Sequence, residues 1–345
     1  MQKQVKDSIR QPGQTGGRLR WLDAARGLAM LLVMIGHTVP GNETVIGALY
    51  TFHLPLFFVI SGYASRPVRD GRAFARRHVR SFFQLVVPCA ALQMGLMVYF
   101  CMLEGNLSAD RLIGLEKRAI LQLFWASAQS VDGRPALGIP WFMFALFWGR
   151  MLFDALRMAL KRHAVMACVL SAAAGLAIGT AAYLPQSLDL AMVAVLFLCA
   201  GEQLHRLDAL NPRARRGVLA AAALVWALGL WRGVRIDMAV HQYGPCGLGI
   251  PVSLCASAVV CALMQRLDRC AAVSGPLAFV GRISLPVFLV HHVDDYFMGW
   301  WYRESWWLCC VNRIVVVVGI AALAHAAAWG VRRAASGLKR AWKNV

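Results

Sequence analysis

Apolar stretches of about 17 to 25 residues recur along almost the whole chain, the length a helix needs to cross a hydrocarbon core roughly 30 Å thick. They lie near 22–39, 45–63, 81–103, 140–160, 164–183, 188–204, 217–231, 246–264, 276–296 and 306–330. Lipid cannot satisfy backbone N–H and C=O groups, so the pattern predicts an all-α membrane protein, a bundle of about ten transmembrane helices. Ala and Gly crowd the fifth and seventh spans and permit close packing. Most connections are short. The segment 104–139 is longer, carries Glu104, Asp110, Glu116 and Asp132, and contains an interrupted apolar stretch around Leu121 to Trp125. It is expected on the external side, over the mouth of a cavity. No repeat, low-complexity linker or second soluble domain interrupts the pattern. The expected organisation is therefore a cytoplasmic tail over 1–20, a transmembrane domain over 21–330 and a basic cytoplasmic tail over 331–345.

Composition sharpens this picture. With 59% hydrophobic and 15% charged residues in 345, the chain is far from the balance of a soluble domain. A net charge of +19 would otherwise raise nucleic acid as a partner. Its placement points to membrane lipids and no nucleic acid, because Lys and Arg gather at one set of helix ends. By the positive-inside rule, the N-terminal tail (Lys3, Lys6, Arg10, Arg18, Arg20), the loop from Arg66 to Arg80 and the C-terminal tail (Arg332, Arg333, Lys339, Arg340, Lys343) are cytoplasmic. Both termini inside require an even number of spans. The polar start, with Pro12, Gly13, Gly16 and Gly17, has no cleavage site in register, so the first span is expected to stay. The ten cysteines, Cys309 and Cys310 included, show no metal-ligand spacing and read as small core residues.

Ionisable groups inside spans are costly and mark candidate sites. The first span carries Asp23, Arg26 and His37. Eleven residues separate Arg26 from His37, which on a helix is three turns plus about 20° and a rise of about 16 Å. The two share one face. Asp23 joins the stripe and lies three residues from Arg26, where an ion pair can form. Spacing alone also fits interfacial anchors and an interhelical hydrogen bond. The second span contributes His53 and Ser61 and runs into Arg66, Arg69, Arg72, Arg76, Arg77 and Arg80. That cluster suits topogenic charge or anionic lipid, or the phosphates of a cytoplasmic ligand. In the ninth span, Arg282 and Ser284 precede His291, His292, Asp294 and Asp295; either acid is spaced to orient His291. No further ligand in register completes a metal site. Trp141, with Trp300, Trp301, Trp306 and Trp307, reads as an aromatic belt, or in the case of Trp141 as a ring for stacking on a sugar. Arg150 and Arg313 need partners or a hydrated cavity, and Asp154 is spaced to pair with Arg150.

These segments together resemble the acyltransferase 3 family of integral-membrane O-acyltransferases, whose members include sugar O-acetylases of bacterial surface polysaccharides. Leu22-Asp23-x-x-Arg26-Gly-Leu-Ala leading to Gly36-His37 is similar to the family's first helix. Phe52-His53-x-Pro-Leu-Phe-Phe with Ser61-Gly62-Tyr63 looks like its second. Arg77-x-x-Arg80 resembles the cytoplasmic Arg-x-x-Arg, and Gly281-Arg282-x-Ser284-Leu with Phe288-Leu-Val-His291 resembles a late helix in which tyrosine is common at the Phe288 position. Trp141-Phe142 adds a weaker match. The interval from Arg80 to Pro88 is about one helical turn longer than usual.

The resemblance implies a bacterial inner-membrane enzyme using acetyl-CoA as acyl donor, with no tightly bound cofactor, and a hydroxyl of a lipid-linked or exported glycan as acceptor. Neutral imidazole suits the removal of a hydroxyl proton near neutral pH, so His37 is expected as general base, with an acetyl-histidine intermediate as the competing route and Arg26 and Asp23 in the catalytic set. Arg76, Arg77 and Arg80 would hold the donor, and His53, Ser61, Trp141, Arg282 and His291 would contact the acceptor. A transporter or flippase of a polar lipid or glycan is the rival, since buried charges also line transport paths; the chain shows no inverted repeat.

Overall fold

A computed structural model describes residues 19–39, 42–130, 133–208, 211–296 and 305–341. Lys3, Lys6, Arg10, Arg18, Pro12, Gly13, Gly16, Gly17, Asp132, Trp300, Trp301 and Lys343 lie outside the described residues. The chain forms α1 (Arg20–Thr38), α2 (Glu43–Leu49), α3 (His53–Tyr63), α4 (Gly71–Leu103), α5 (Ala109–Trp125), α6 (Trp141–Leu160), α7 (Ala164–Ala181), α8 (Leu188–Leu207), α9 (Pro212–Trp231), α10 (Gly249–Leu267), α11 (Ala271–Arg282), α12 (Ser284–Asp295) and α13 (Trp306–Ala341), with no strand among the described residues. Seven helical stretches among them are long and apolar enough to cross a membrane, eight if the bent pair α11–α12 is one span. The chain is a multi-pass helical protein by that measure. Ten stretches do not qualify: Asp23, Arg26 and His37 interrupt the apolar run of α1, and α6 and α7 fall within one stretch of 41 residues, Trp141–Ala181.

Local sequence explains where helices begin. Asp70 caps α4 by accepting the Ala73 N–H at 2.7 Å. The helix therefore starts well before the expected span, and its 33 residues reach about 50 Å, so its arginine-rich turns project beyond a hydrocarbon core. The segment 104–139, expected as a cover over the mouth of a cavity, contains the 17-residue α5. Arg111 forks onto Glu104 at 2.7 and 2.6 Å to close the turn before it. Gln93 of α4 donates to Gln122 of α5 at 2.8 Å, and Gln122 donates to the Ala136 carbonyl at 2.7 Å, which ties the following loop to the bundle.

Glycine sets the closest crossings. A Cβ on Gly27 would lie 1.9 Å from the Leu277 oxygen, and one on Gly281 would lie 1.8 Å from the Asp23 oxygen, so α1 and α11 touch backbone to backbone. This is the small-residue packing that membrane helices favour. Beyond that crossing the chain turns by 70° between α11 and α12, where one continuous ninth span was expected. Pro286 is the cause: it offers no N–H to the Arg282 carbonyl, and its ring crowds that carbonyl, which ends the first helix at Ile283. Phe58, Phe144, Phe197, Met30 and Met34 fill the interior, while Leu224 and Leu228 of α9 and Val315 and Leu323 of α13 face outward.

Candidate active site

The stripe predicted on α1 forms. Arg26 Nη1 donates to Asp23 Oδ1 at 3.0 Å, and Arg26 and His37 line one cavity of about 460 Å³ in the centre of the bundle. His53, Ser61, Trp141 and Arg282 line it as well. The cavity wall is otherwise largely apolar, with Met30, Val33, Phe57, Phe142 and Phe288, and the loop after α5 contributes Ala128, Gln129, Gly138 and Ile139.

The His37 end is built by three distant parts of the chain. Asp295, at the end of α12, lines the cavity with its Oδ1 4.0 Å from His37 Nδ1. Arg313 of α13 donates to Asp295 Oδ1 at 3.1 Å, to Asp294 Oδ2 at 2.5 Å and to Thr38 Oγ1 at 3.3 Å. The partners that a buried Arg313 requires are thus these two acids. His291 lies edge-on to His37, ring centroids 5.2 Å apart, and its Nδ1 is 3.8 Å from Asp294 Oδ2. It is fully buried, behind His37, and is not among the residues that line the cavity. His53 Nδ1 donates to the Leu49 carbonyl at 2.8 Å, which leaves its other ring nitrogen for the cavity side.

Arg26, Arg150 and Arg282 form the other end. Arg150 of α6 lines the cavity, and its guanidinium makes no hydrogen bond or ion pair to a protein acceptor among the described residues. The expected pairing with Asp154 does not form, because Arg77 Nη1 at 2.9 Å and His78 Nε2 at 3.2 Å hold that carboxylate instead. Arg282 sits at the α11–α12 break, its guanidinium carbon 6.0 Å from the Phe279 ring centroid, beside Ser284 at the start of α12. Asp23 is buried under Arg26 and does not line the cavity. Neither do Arg76, Arg77 and Arg80: Arg76 and Arg80 are exposed on the projecting turns of α4, and Arg77 also donates to the Arg66 carbonyl at 2.8 Å.

Sequence reasoning missed two features. Asp295 faces His37 rather than its own helix neighbour His291, because the bend at Ile283 re-aims α12. Asp237 and Tyr50 enter the cavity wall from loops, where no periodicity marks them. Trp141, read as a belt residue or a ring for stacking on a sugar, is 5% exposed and part of the cavity wall, and its N–H meets the Gly138 carbonyl at 3.1 Å in the tight turn that opens α6. Trp306 and Trp307 are exposed. Seven cysteines are buried, Cys255 is partly so, and Cys246 and Cys270 are exposed, departing from a core role for all ten. No group of three or more His, Cys, Asp or Glu arranged to hold a metal occurs among the described residues.

No curated protein and no solved structure matches the chain. The family profile described as an acyltransferase domain, that of the acyltransferase 3 family, matches residues 19–333 and so takes in α1, both ends of the cavity and Arg313. With almost its whole length matched, the chain belongs to the acyltransferase 3 family.

Proposed function

We propose that the protein moves an acetyl group from cytoplasmic acetyl-CoA to a hydroxyl of a cell-surface or lipid-linked glycan, with His37 as general base. The observation that carries this reading is the cavity with arginines at one end and His37, backed by Asp295 and Arg313, at the other. Eleven helical residues put about 16 Å between those ends, which suits a ligand with phosphates at one end and a thioester at the other. Arg26, Arg150 and Arg282 would face the phosphates nearest the pantetheine arm, because arginine forks match phosphate oxygens. Arg76, Arg77 and Arg80, on the projecting turns of α4, would meet the nucleotide at the cytoplasmic entrance.

The chemistry then needs one proton carrier. With Nδ1 turned to Asp295, His37 Nε2 takes the proton of the acceptor hydroxyl as its oxygen bonds to the thioester carbonyl carbon. The carbon–sulfur bond breaks, and the proton passes from His37 to the leaving thiolate. Ester and free CoA result, and the imidazole returns to its neutral form. Asp295 orients the ring and offsets its charge while the proton is held. A largely apolar wall, with Met30, Val33 and Phe142, keeps competing water out. No tightly bound cofactor or metal takes part.

The same reading takes residues 21–330 as the catalytic domain, with ten spans in a bacterial inner membrane and both termini cytoplasmic. It is supported by the length of Trp141–Ala181, whose 41 residues would extend about 60 Å, twice a hydrocarbon core, unless the chain turned back at Lys161–His163.

Membranes carrying the protein, given radiolabelled acetyl-CoA, should place base-labile label in the glycan fraction. His37→Ala, inserted at a normal level, should lower that label by about 10²–10⁴-fold. Full transfer by His37→Ala would falsify the assignment of the base, and a glycan that crosses the membrane without label would favour transport.

A further inference from the structure

A second cavity, of about 620 Å³, lies at the His37 end of α1, where residues 233–245 fold back over α2. Gly36 lines this cavity and His37, the next residue, lines the central one. Tyr50 and Asp237 line both, so the two cavities share a wall beside His37. The loop that closes the second cavity is held in place by its own backbone: Asp237 and Gln242 exchange N–H···O bonds at 2.7 and 2.9 Å, and the Ile236 N–H reaches the Tyr50 carbonyl at 2.8 Å.

We propose that this second cavity binds the saccharide acceptor and passes one hydroxyl between Tyr50 and Asp237 to His37, an inference that rests on the acyl-transfer reading above. Three observations lead to a neutral, polyhydroxylated ligand. First, the basic side chains of the lining already have acidic partners: Arg235 donates to Glu43 at 2.7 Å and His241 shares a hydrogen bond with Asp189 at 2.5 Å, so neither is held ready for a phosphate or carboxylate. Second, Asp237 has one oxygen on the Ala239 N–H at 3.1 Å and no arginine or lysine partner among the described residues, so a ligand hydroxyl is the donor that suits its carboxylate. Third, the Tyr243 hydroxyl is buried with no hydrogen-bond partner among the described residues. An unpaired buried hydroxyl costs about 1–3 kcal/mol, a deficit that a sugar hydroxyl in the cavity would remove. The rings of Tyr50 and Tyr243 add flat apolar faces of the kind on which the C–H side of a pyranose packs.

The arrangement also separates the two substrates. The donor fills the central cavity from the arginine end, and the acceptor enters from the opposite side. They meet only at the wall where Gly36 gives way to His37, so the thioester is not exposed to the solvent that fills the acceptor cavity before the acceptor arrives.

The test uses the full-length protein in nanodiscs, labelled acetyl-CoA, and surface polysaccharide from the source cells stripped of its acyl groups by mild base. Tyr243→Phe removes only a hydroxyl that has no protein partner, and Gln242→Ala truncates an exposed side chain of the cavity rim, so neither is expected to lower thermal stability. Each should raise the half-saturating polysaccharide concentration about tenfold, the equivalent of one hydrogen bond of about 1.4 kcal/mol, and leave half-saturating acetyl-CoA within about twofold. If neither constant moves, or if both rise together, the acceptor assignment is overturned while acyl transfer stands. Competition by inorganic phosphate against the polysaccharide would overturn the neutral-ligand argument. A wild-type protein that neither labels the polysaccharide nor releases CoA would overturn the acyl-transfer reading and this inference with it.

Discussion

Asp295 Oδ1 lies 4.0 Å from His37 Nδ1, although the two residues come from opposite ends of the chain. The carboxylate cannot turn freely, because the fully buried Arg313 donates to the same oxygen at 3.1 Å. Arg313 also reaches Thr38, the neighbour of His37, at 3.3 Å. One guanidinium therefore fixes the ends of α1 and α12 relative to each other.

Arg313→Leu should destabilise the protein by about 1.5–3 kcal/mol, because the partly buried Asp294 and Asp295 would lose their charge-assisted hydrogen bonds to the one buried cation. Thermal unfolding in detergent measures the loss. Adding Asp294→Asn and Asp295→Asn to Arg313→Leu should restore most of the stability but not the transfer activity. Asp295→Asn alone leaves the Arg313–Asp294 pair in place, so it should reduce turnover and leave the half-saturating acetyl-CoA concentration unchanged. Recovery of both stability and activity in the triple variant would show that the network only supports the fold.

Arg150→Met should behave in the opposite way. The guanidinium has no protein acceptor among the described residues, so its removal should leave thermal stability unchanged or slightly higher. If it meets a donor phosphate, the lost charge-assisted hydrogen bonds are worth about 1.5–3 kcal/mol, and half-saturating acetyl-CoA should rise roughly 10- to 100-fold. Arg150→Lys should recover part of that, as a point charge without the fork. An unchanged acetyl-CoA dependence would remove Arg150 from the donor site.

The face shared by Arg26 and His37 was legible because an unbroken helix turns spacing directly into direction, and α1 runs unbroken from Arg20 to Thr38. The same rule held only in part on α12, where Asp294 does lie beside His291, its Oδ2 3.8 Å from the ring Nδ1. His291 and Asp295 are correctly spaced on one helix, but the bend that Pro286 imposes sends Asp295 to His37 and buries His291 behind it. Arg313 could be marked as needing a partner but not assigned one, since its acids arrive from another helix. Asp154 was likewise claimed by Arg77 and His78 of α4 rather than by Arg150 of its own helix. Local spacing proposes neighbours, and packing between helices chooses among them. Loop residues such as Asp237 have no period to read at all.

Gly281→Ala tests the crossing that positions Arg282. The added methyl would meet the Asp23 oxygen at 1.8 Å and the Gly27 nitrogen at 3.0 Å, and both are backbone atoms that cannot swing aside. Overpacking of this kind typically costs about 1–3 kcal/mol and separates the elements that touch. Gly281→Ala should therefore lower thermal stability and also weaken acetyl-CoA binding. Gly275→Ala, on the same helix with nothing near its Cβ, should do neither. Equal behaviour of the two variants would remove close packing as the explanation.

Asp237 gives a pH dependence with a definite sign. Burial in the loop after α9 pushes its carboxyl above the ordinary range, against the smaller opposing effect of the Ala239 and Val240 N–H groups. In the unfolded chain the group titrates normally, near 3.9. A raised folded value means that the folded state binds its proton more readily, so this residue lowers stability at neutral pH, and the penalty disappears as pH falls through the carboxylate range. Asp237→Asn keeps an oxygen to accept the Ala239 N–H and removes the charge. Its unfolding temperature should exceed that of the wild type at pH 7, and the difference should shrink steadily as the pH is lowered through the carboxylate range. A constant difference across that range would show that Asp237 does not titrate on folding, and a wild type more stable than Asp237→Asn at pH 7 would show that its carboxylate is paired by a cation.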